Sequence, residues 1–484
     1  MKRSILLAGT AILAACASSP AKIGGLAGKP VEFFAVAPDA PAEWVAKGVA
    51  GEVPEGDWLT QFGDATMTSL VQEALAHNPT LLAREAAVRA AEAQTRIARA
   101  AGRPSLSGTL SAGGTSTGFA TGTGTDRSND SYYGLSIDAS WEADLWGRIG
   151  TSVGAARADY AASEADLAAA ELALSAQTAI AWVNLNAARA QEHLAEQTYD
   201  ARDHVRVLTE RRFQRGLSDA LDVRTARSAL ANSEAAIAAR RQTSGEVARQ
   251  LEILVGRYPS AELDAPAALP VLPLIVPEGN PALLLSRRPD IAASEARIRA
   301  AGLRAEQARL AMLPALRFTG SVGNTSTDIG DVFDPELLAA RLIGSLTAPL
   351  FTGGQLDAQR DAAVAQAEAA VANYASAALS AWQEVENALA ADALLAMQEE
   401  AQVRSLEEAR LAEDLAERQY TSGTITIFNL IDAQTRRITA ESQLISVRAS
   451  RAANRISYHL ALGGGLPAVP AADAAPSPAT GGEA

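Results

Sequence analysis

Residues 135–145 read Leu-Ser-Ile-Asp-Ala-Ser-Trp-Glu-Ala-Asp-Leu, and this alternation of apolar and polar side chains favours a β-strand. One face of the strand is apolar, whereas the other carries Asp138, Glu142 and Asp144. A strand with one apolar and one acidic face is typical of a transmembrane β-barrel with a water-filled lumen, so we expect these three carboxylates to face the lumen. On this segment alone, the half-buried strand of a soluble sandwich remains the alternative.

Three further segments alternate more weakly, and together with the first they predict a sheet of four strands. The four strands are expected at about residues 105–117, 133–146, 315–324 and 340–350. The stretches between paired strands, Gly113 to Ser131 and Asn324 to Glu336, are polar, and we expect them to be extracellular loops. Four strands cannot close a barrel, and open sheet edges are unstable in lipid. The pattern therefore predicts an oligomer around one shared barrel, and a trimer would supply twelve strands.

The chain contains an internal duplication. Asn78-Pro79 and Arg288-Pro289 each open a helical segment, and these two motifs lie 210 positions apart. Gly216 and Gly423 lie 207 positions apart and each follow a long helical pattern. The expected organisation is a signal peptide at 1–15, a lipidated N-terminal segment and the start of the periplasmic part at 16–74, repeats at 75–256 and 285–463, a Pro-rich linker at 257–284 and a disordered tail at 464–484.

Each repeat also carries a very long stretch without proline, at about 152–214 and 358–421. Helices of this length would reach roughly 90 Å, which is too long for burial in a globule. Each is followed by a turn and a second long helix, at about 219–255 and 425–461. The stretch at 358–421 has two apolar stripes, which indicate neighbours on both sides, as in a closed ring of helices. An ordinary helical bundle remains the alternative.

The first residues have the form of an export signal. Lys2 and Arg3 precede an apolar run that is too short to span a bilayer, and the run ends at Cys16, the only cysteine. Leu-Ala-Ala-Cys at 13–16 resembles the bacterial lipobox, in which the cysteine becomes the lipidated first residue of the mature protein. The alternative is an ordinary small-residue cleavage site beside an incidental cysteine.

Composition excludes several functional classes. The net charge of −14 argues against a nucleic-acid partner, because phosphate backbones require clustered basic residues. One cysteine excludes a disulfide framework and any thiolate zinc site. The four histidines are too scattered for a helical metal site: His77, His193, His204 and His459. The sequence offers no nucleophile–base pair and no phosphate-binding loop, so it predicts a protein without catalytic function or cofactor.

Several motifs, in this order, resemble the outer-membrane factors of tripartite efflux systems: Asp57–Asp64 (DWLTQFGD), His77–Pro79 (HNP), Trp141–Arg148 (WEADLWGR), Arg288–Asp290 (RPD) and Leu350–Gly354 (LFTGG). The resemblance is to the TolC/OprM type, in its NodT-like lipoprotein branch, and covers about 57–463. It implies a mixed α and β membrane protein, a homotrimer whose twelve-stranded transmembrane β-barrel is continued by a long periplasmic α-helical barrel. It also implies a passive duct to which a periplasmic adaptor (membrane fusion) protein and an inner-membrane pump dock.

The resemblance further implies a periplasmic gate at the tips of the helical hairpins. Phe428 and Asp432 fall where the family places its constricting apolar and acidic residues, and their spacing puts them on one helix face. Threefold symmetry would turn each into a ring, and a ring of carboxylates attracts cations. Asp222 and Tyr420 match positions of polar links between hairpins, whereas Ile425 occupies a site where the family has a basic linking residue. The alternatives are a place in the hairpin core for Phe428, a solvated helix face for Asp432, and charge complementarity with a helix N-terminus for Asp222.

The sequence therefore predicts an outer-membrane lipoprotein duct that expels small toxic molecules or drugs, with a proton-driven pump of the RND type as its partner. The aperture would open when the adaptor and pump dock. An exit duct of a type I protein-secretion system is the alternative within the same class. A surface-tethered coiled-coil adhesin or structural protein is the alternative from another class, and it predicts no pore.

Overall fold

The computed structural model describes residues 43–46, 58–122, 124–269, 272 and 281–464 of the 484-residue chain. These residues form two compact units. Unit 1 includes Ala87–Glu164 and Ala293–Ser376, and unit 2 includes Ala165–Ala292 and Ala377 onwards, together with the segment before Ala87. Each sequence repeat therefore contributes to both units, so the duplication in the sequence does not coincide with the division in space. The predicted signal peptide and C-terminal tail lie outside the described residues.

Unit 1 contains one antiparallel sheet of four strands in the order β1-β2-β3-β4. The strands are β1 (Ser105–Thr121), β2 (Gly124–Ala143), β3 (Ala315–Ser326) and β4 (Ala339–Thr347). Directly paired residues share a face of a sheet. Three of the pairs are apolar on the same face: Leu110 with Leu135, Ile137 with Val322, and Trp141 with Phe318. The opposite face carries mainly serine, threonine and charged side chains, so the sheet is two-sided.

The prediction that Gly113 to Ser131 forms a polar loop was wrong. β1 and β2 pair without interruption through this segment, for example Thr115 with Asp130 and Thr117 with Ser128. Strand pairing depends on backbone hydrogen bonds, which glycine, serine and threonine form without any apolar alternation in the sequence. β2 also ends at Ala143 rather than at 146, because the next residue, Asp144, caps a helix.

The described helices are α1 (Ala65–His77), α2 (Pro79–Ala100), α3 (Arg148–Gln214), α4 (Ala220–Leu254), α5 (Pro281–Arg287), α6 (Pro289–Leu310), α7 (Gln355–Ser422) and α8 (Ile427–Ala461). The longest, α3 and α7, have 67 and 68 residues and occupy equivalent places in the two repeats. In the part of the chain that the structure describes, no helix combines the length and the apolar run needed to cross a bilayer.

Both helical hairpins turn at a glycine in the left-handed region. Gly216 has φ +74° and Gly423 has φ +81°, a backbone conformation that disfavours other residues. At the first tip the amide of Leu217 donates to the carbonyl of Arg212 at 2.9 Å, and at the second tip the amide of Thr424 donates to the carbonyl of Gln419 at 3.0 Å. The same helix-ending turn therefore occurs twice, at positions 207 apart.

One apolar core of unit 2 packs α1 and the residues before it against α3 and α4 of the first hairpin. Trp58, Met67, Trp182 and Leu251 are buried in one cluster. Asp64 serves this cluster twice, because one carboxylate oxygen caps α1 and the other accepts a hydrogen bond from Trp182 Nε1 at 2.7 Å. Asp64, the last residue of the DWLTQFGD motif, thus anchors the start of α1 to α3.

Each repeat closes by joining its first helix to the end of its last helix. In the first repeat, Asn78 Nδ2 donates to the carbonyl of Leu254 at 2.8 Å. In the second repeat, Arg288 donates to the carbonyl of Ala461 at 3.0 Å. The two acceptors lie 207 positions apart, so the two contacts are equivalent, although an asparagine makes the first and an arginine the second.

Candidate functional site

The polar face of the sheet holds two of the three carboxylates expected there. Asp138 accepts a hydrogen bond from the Ser136 hydroxyl at 2.8 Å. Glu142 forms ion pairs with Arg148 at 2.6 Å and with Arg317 at 3.4 Å. Of these two carboxylates, only Asp138 lacks a basic ion-pair partner among the described contacts.

Asp144 does not belong to the strand, which corrects its assignment to a lumen-facing row. Its two carboxylate oxygens accept hydrogen bonds from the amides of Ile149 and Gly150 at 2.9 and 2.7 Å. These amides are in the first turn of α3, where the first backbone donors have no partner within the helix. Asp144 is thus a helix cap, and its alternation with the apolar residues of β2 was coincidental.

Basic residues also lie on the polar face, which the search for carboxylates missed. Asp138 pairs with Ser321 of β3, and Ser321 pairs in turn with Arg341 of β4. These side chains line a depression of about 330 Å³ together with several hydroxyl groups: Ser107, Ser140 and Thr319. The period-two pattern of β4 could have revealed Arg341. The face is polar and of mixed charge rather than uniformly acidic.

The second hairpin tip places Phe428 and Asp432 on the exposed face of α8. Phe428 is 53% exposed, whereas Ile427 and Leu430 on the opposite face are fully buried. Asp432 forms an exposed ion pair with Arg436 at 2.9 Å. The sequence analysis did not include Arg436, although a basic residue four positions after an acidic one on a helix is the signal for such a pair.

Within the single chain, Tyr420 and Asp222 each have a different hydrogen-bond partner. The Tyr420 hydroxyl lies 2.7 Å from Thr209 Oγ1. Because Thr209 donates its own proton to the Val205 carbonyl, the tyrosine is the donor of this bond. Burial raises the pKa of Tyr420, which keeps the hydroxyl protonated. The Asp222 carboxylate accepts a hydrogen bond from the Ser218 hydroxyl at 2.7 Å, in the turn that precedes α4.

Ile425 is partly buried against the apolar cluster of the tips, so an isoleucine suits the position where a basic residue was sought. A cation nevertheless reaches the second tip, because Arg212 of α3 donates to the carbonyls of Tyr420 and Thr421. Sequence reasoning missed Arg212, since nothing local distinguishes it from the neighbouring arginines. The proposed lipid site, Cys16, lies outside the described residues. Among the described residues, no acidic, histidine and cysteine side chains converge in a group of three that could hold a metal.

Comparison with known proteins agrees with this architecture. The family described as Outer membrane efflux protein matches residues 70–257 and 280–464. The chain is 32% identical to the pyoverdine export outer membrane protein OpmQ of Pseudomonas aeruginosa, over 96% of this chain and 97% of that protein. It is 28% identical to the cation efflux system protein CusC of Escherichia coli, over 84% of this chain and 88% of that protein.

The fold is also similar to solved structures of outer-membrane channels. The outer-membrane channel OprN superimposes with a TM-score of 0.79 at 29% identity, covering 89% of this chain and 98% of that one. The two segments that match the family correspond closely to the two repeats, and together they span most of the chain. The resemblance inferred from the sequence motifs is confirmed: the chain belongs to the outer membrane efflux protein family.

Proposed function

We propose that three copies of this chain form a passive exit duct in the outer membrane, through which a tripartite pump expels small toxic molecules. The observation that carries this proposal is the two-sided sheet of unit 1. Its apolar face suits lipid, and its polar face, with Asp138 and Arg341, suits a water-filled lumen.

The edges of the sheet support the trimer. In the strand order β1-β2-β3-β4, each outer strand has a partner on one side only among the described residues. Unpaired backbone groups are unstable in the hydrocarbon region, so β4 of one copy must pair with β1 of the next. Three copies then close a barrel of twelve strands.

The surface of α7 supports a second ring, formed by helices. Leu379, Met397 and Leu415 are exposed and lie 18 positions apart, which places them on one helix face after whole numbers of turns. Leu394 and Leu411 extend this exposed apolar stripe. Stripes of this kind are buried when helices pack side by side, so neighbouring copies would cover it in a periplasmic α-helical barrel.

The exposed face of the second tip supports the gate. In a trimer, Phe428 would form an apolar ring and Asp432 an acidic ring one helical turn away. Arg436 moderates the negative charge of this constriction, because it is paired with Asp432. The gate would open when the adaptor and the pump dock, and an RND-type pump would supply the energy. Cys16 would carry lipid and add an anchor in the outer membrane.

The cargo follows from the relatives and from the polar face. One relative is named for export of pyoverdine and another for cation efflux, so this family serves chemically different small molecules. A lumen of mixed charge lined by hydroxyl groups suits such breadth, because it binds no single charge type strongly. We propose that the pump, rather than the duct, selects the substrate.

The test is conductance of the purified mature protein in planar bilayers, with its mass measured in detergent. We expect a trimer with small, infrequent openings in the wild type. Asp432→Ala should lower the preference for cations, and the matched change Arg436→Ala should raise it, because the two changes alter the same ring with opposite sign.

A soluble monomer without sheet structure would contradict the duct. Equal selectivity in both variants would contradict the acidic gate. Co-purification with an ATP-driven exporter in place of an RND pump would favour protein secretion.

A further inference from the structure

The tips of the two hairpins in one chain share a common apolar core. Val205 of α3, Ala226 of α4, Tyr420 of α7 and Leu430 of α8 are all buried in one cluster within unit 2. Each of the four long hairpin helices thus contributes a residue. Apolar packing holds the tips close together, but it has little directional preference and does not fix their angle or register.

Arg212 adds a directional contact between the tips. Its Nη1 donates to the carbonyl of Tyr420 at 2.9 Å and to that of Thr421 at 3.0 Å, while Nη2 donates to the carbonyl of Leu217 at 3.4 Å. The guanidinium also lies over the Tyr420 ring, 5.0 Å from its centroid. One side chain at the end of α3 therefore joins the turn of the first tip to the last turn of α7.

The acceptors explain why a cation is suited to this place. The last carbonyls of a helix have no partner within the helix, and they lie at the negative end of the helix dipole. A guanidinium is planar and offers several donors in a fixed fork, so it can satisfy two adjacent carbonyls and a third on another turn. A lysine carries all its donors on a single nitrogen, so it lacks the planar fork with which Arg212 binds carbonyls of both tips.

The surroundings of Arg212 are shaped for this contact. A Cβ atom at Gly423 would lie 3.3 Å from Arg212 Nη2, so the glycine both permits the turn and leaves room for the guanidinium. Thr209, three positions earlier on α3, holds the hydroxyl of Tyr420 at 2.7 Å. Tyr420 is therefore held at its ring, its hydroxyl and its carbonyl by one face of α3.

The contact is not reproduced by the duplication. The position equivalent to Arg212 in the second repeat, 207 residues later, is Gln419. The cation between the tips thus comes from the first hairpin, while Ile425 of the second tip packs against the apolar core. The link runs in one direction, from α3 to the end of α7.

We infer that Arg212 is a latch that ties the first hairpin tip to the second within one chain, and so positions Phe428 and Asp432 in the closed gate. The structural part stands on the contacts of unit 2, and the gating part rests on the proposed function. Arg212 is a positioning residue, because it acts on the gate through α7 and the turn that leads into α8.

The experiment compares Arg212→Ala with Arg215→Ala in the full-length lipidated protein. Arg215 is exposed on the same tip, so its replacement removes the same charge from the same turn. Amide hydrogen exchange at Gly423 and Thr424 reports on the opposite tip, and bilayer conductance reports on the gate. We expect Arg212→Ala to accelerate exchange at these amides by about tenfold and to raise the leak, because charge-assisted hydrogen bonds are lost. Arg215→Ala should leave both unchanged.

Arg212→Lys provides a second variant should Arg212→Ala fail to assemble. It keeps the charge but not the fork, so we expect exchange and leak between those of the wild type and those of Arg212→Ala. Equal exchange in Arg212→Ala and Arg215→Ala would overturn the latch. Faster exchange with an unchanged leak would overturn its role in the gate. A wild-type protein that never conducts would refute the duct, while the exchange comparison would still decide whether the latch exists.

Discussion

The two helical hairpins contain an equivalent, partly buried carboxylate but surround it differently. In the hairpin of α3 and α4, Glu192 accepts hydrogen bonds from Ser244 at 2.7 Å and from Arg241 at 3.3 Å. In the hairpin of α7 and α8, Glu399 accepts hydrogen bonds from Arg448 at 2.9 Å and from Arg451 at 3.0 Å. Arg241 and Arg448, and likewise Ser244 and Arg451, are 207 positions apart, as are the two glutamates.

Each glutamate has two arginine partners, but the second partner differs in position. In the first hairpin it is Arg189, on the same helix as Glu192 and 3.0 Å from it, whereas in the second it is Arg451, on the returning helix where the first hairpin has Ser244. Arg451 also lies 3.6 Å from the buried carboxylate of Asp392, so the charged network extends further along α7. Burial acts to raise the pKa of both glutamates, but hydrogen bonds outweigh it and the pKa of each is lowered. A polar contact inside a long hairpin fixes which turns of the two helices face each other. The two duplicated hairpins therefore share this register contact but differ in where the second arginine lies.

The largest expected effect is the difference between Glu399→Ala and Glu192→Ala in the free energy of unfolding. Glu399→Ala should lower the free energy of unfolding by about 3–5 kcal/mol, because it removes the hydrogen-bonded acceptor of Arg451, which is only 14% exposed, and leaves it the more distant Asp392. Glu192→Ala should cost about 1–2 kcal/mol, because its basic partners Arg189 and Arg241 are 25% and 61% exposed and stay hydrated. Chemical unfolding followed by circular dichroism measures both.

The neighbouring residue provides the control for this pair. Glu400 forms an exposed pair with Arg404, so Glu400→Ala should cost less than about 0.5 kcal/mol. If Glu192→Ala proved as costly as Glu399→Ala, the proposed divergence between the hairpins would be wrong.

A smaller effect on stability is expected when the pH is lowered. It concerns His459 and Glu252, which occupy equivalent positions in the two repeats but titrate differently. Burial lowers the pKa of His459 to about 4, and the charge of Arg455 acts in the same direction. Because the folded-state pKa lies below the unfolded value of 6.5, the neutral histidine contributes stability that is lost as pH falls from 6.5 to about 4. The loss should amount to about 3 kcal/mol.

His459→Phe should remove this loss, because phenylalanine keeps a ring beside Trp58 and does not titrate. At the equivalent place in the first repeat, Glu252 accepts hydrogen bonds from three amides of the following segment: Ala261, Glu262 and Leu263. Burial acts to raise the pKa of Glu252, but these bonds outweigh it, so its pKa falls below 4.5 and its contribution is lost only in more acidic solution. Unfolding series between pH 7 and 4 separate the two groups. An unchanged pH profile in His459→Phe would contradict this assignment.

The smallest expected effect concerns the glycines that end the two repeats. Gly256→Ala should cost about 2 kcal/mol, because φ is +78° and the new Cβ would lie 2.6 Å from the carbonyl oxygen of His77. Gly463→Ala should cost somewhat less, since its Cβ would lie 3.0 Å from the carbonyl oxygen of Arg287. Thermal unfolding of the detergent-solubilised protein measures both changes.

Gly302, within α6, is the matched control for these two changes. A Cβ at Gly302 would meet no described atom within 4 Å, so Gly302→Ala should stabilise the protein by about 0.5–1 kcal/mol. Similar losses at all three glycines would mean that the close contacts at the repeat ends have no special role.

The local features of the chain were readable from its sequence. Alternation over 135–145 indicated the two faces of β2, proline-free stretches indicated α3 and α7, and Gly216 and Gly423 marked the hairpin turns. Such features were accessible because each depends on residues close together in the chain. The extent of β1 and β2 was not accessible, since a run of glycine, serine and threonine has the same composition whether it is paired or looped.

The candidate site could be predicted from the sequence only in part. The motifs indicated the family, and the helical spacing placed Phe428 and Asp432 on one helix face. The sequence analysis did not identify Arg436 as the partner of Asp432, nor the capping role of Asp144. Both contacts are local. Asp144 was interpreted from its place in an alternating pattern and Asp432 from the family resemblance, rather than from the donors nearest to each.

Amino-acid order alone therefore specified the duplication, the alternating strand, the long helices and the family, because periodicity and turn chemistry act over a few residues at a time. The folded chain was required to show that Tyr420 binds Thr209, that Arg212 reaches the end of α7, and that the two repeats mix in both units. Those contacts join residues about 200 positions apart, and their geometry arises only when four helices pack around a common core.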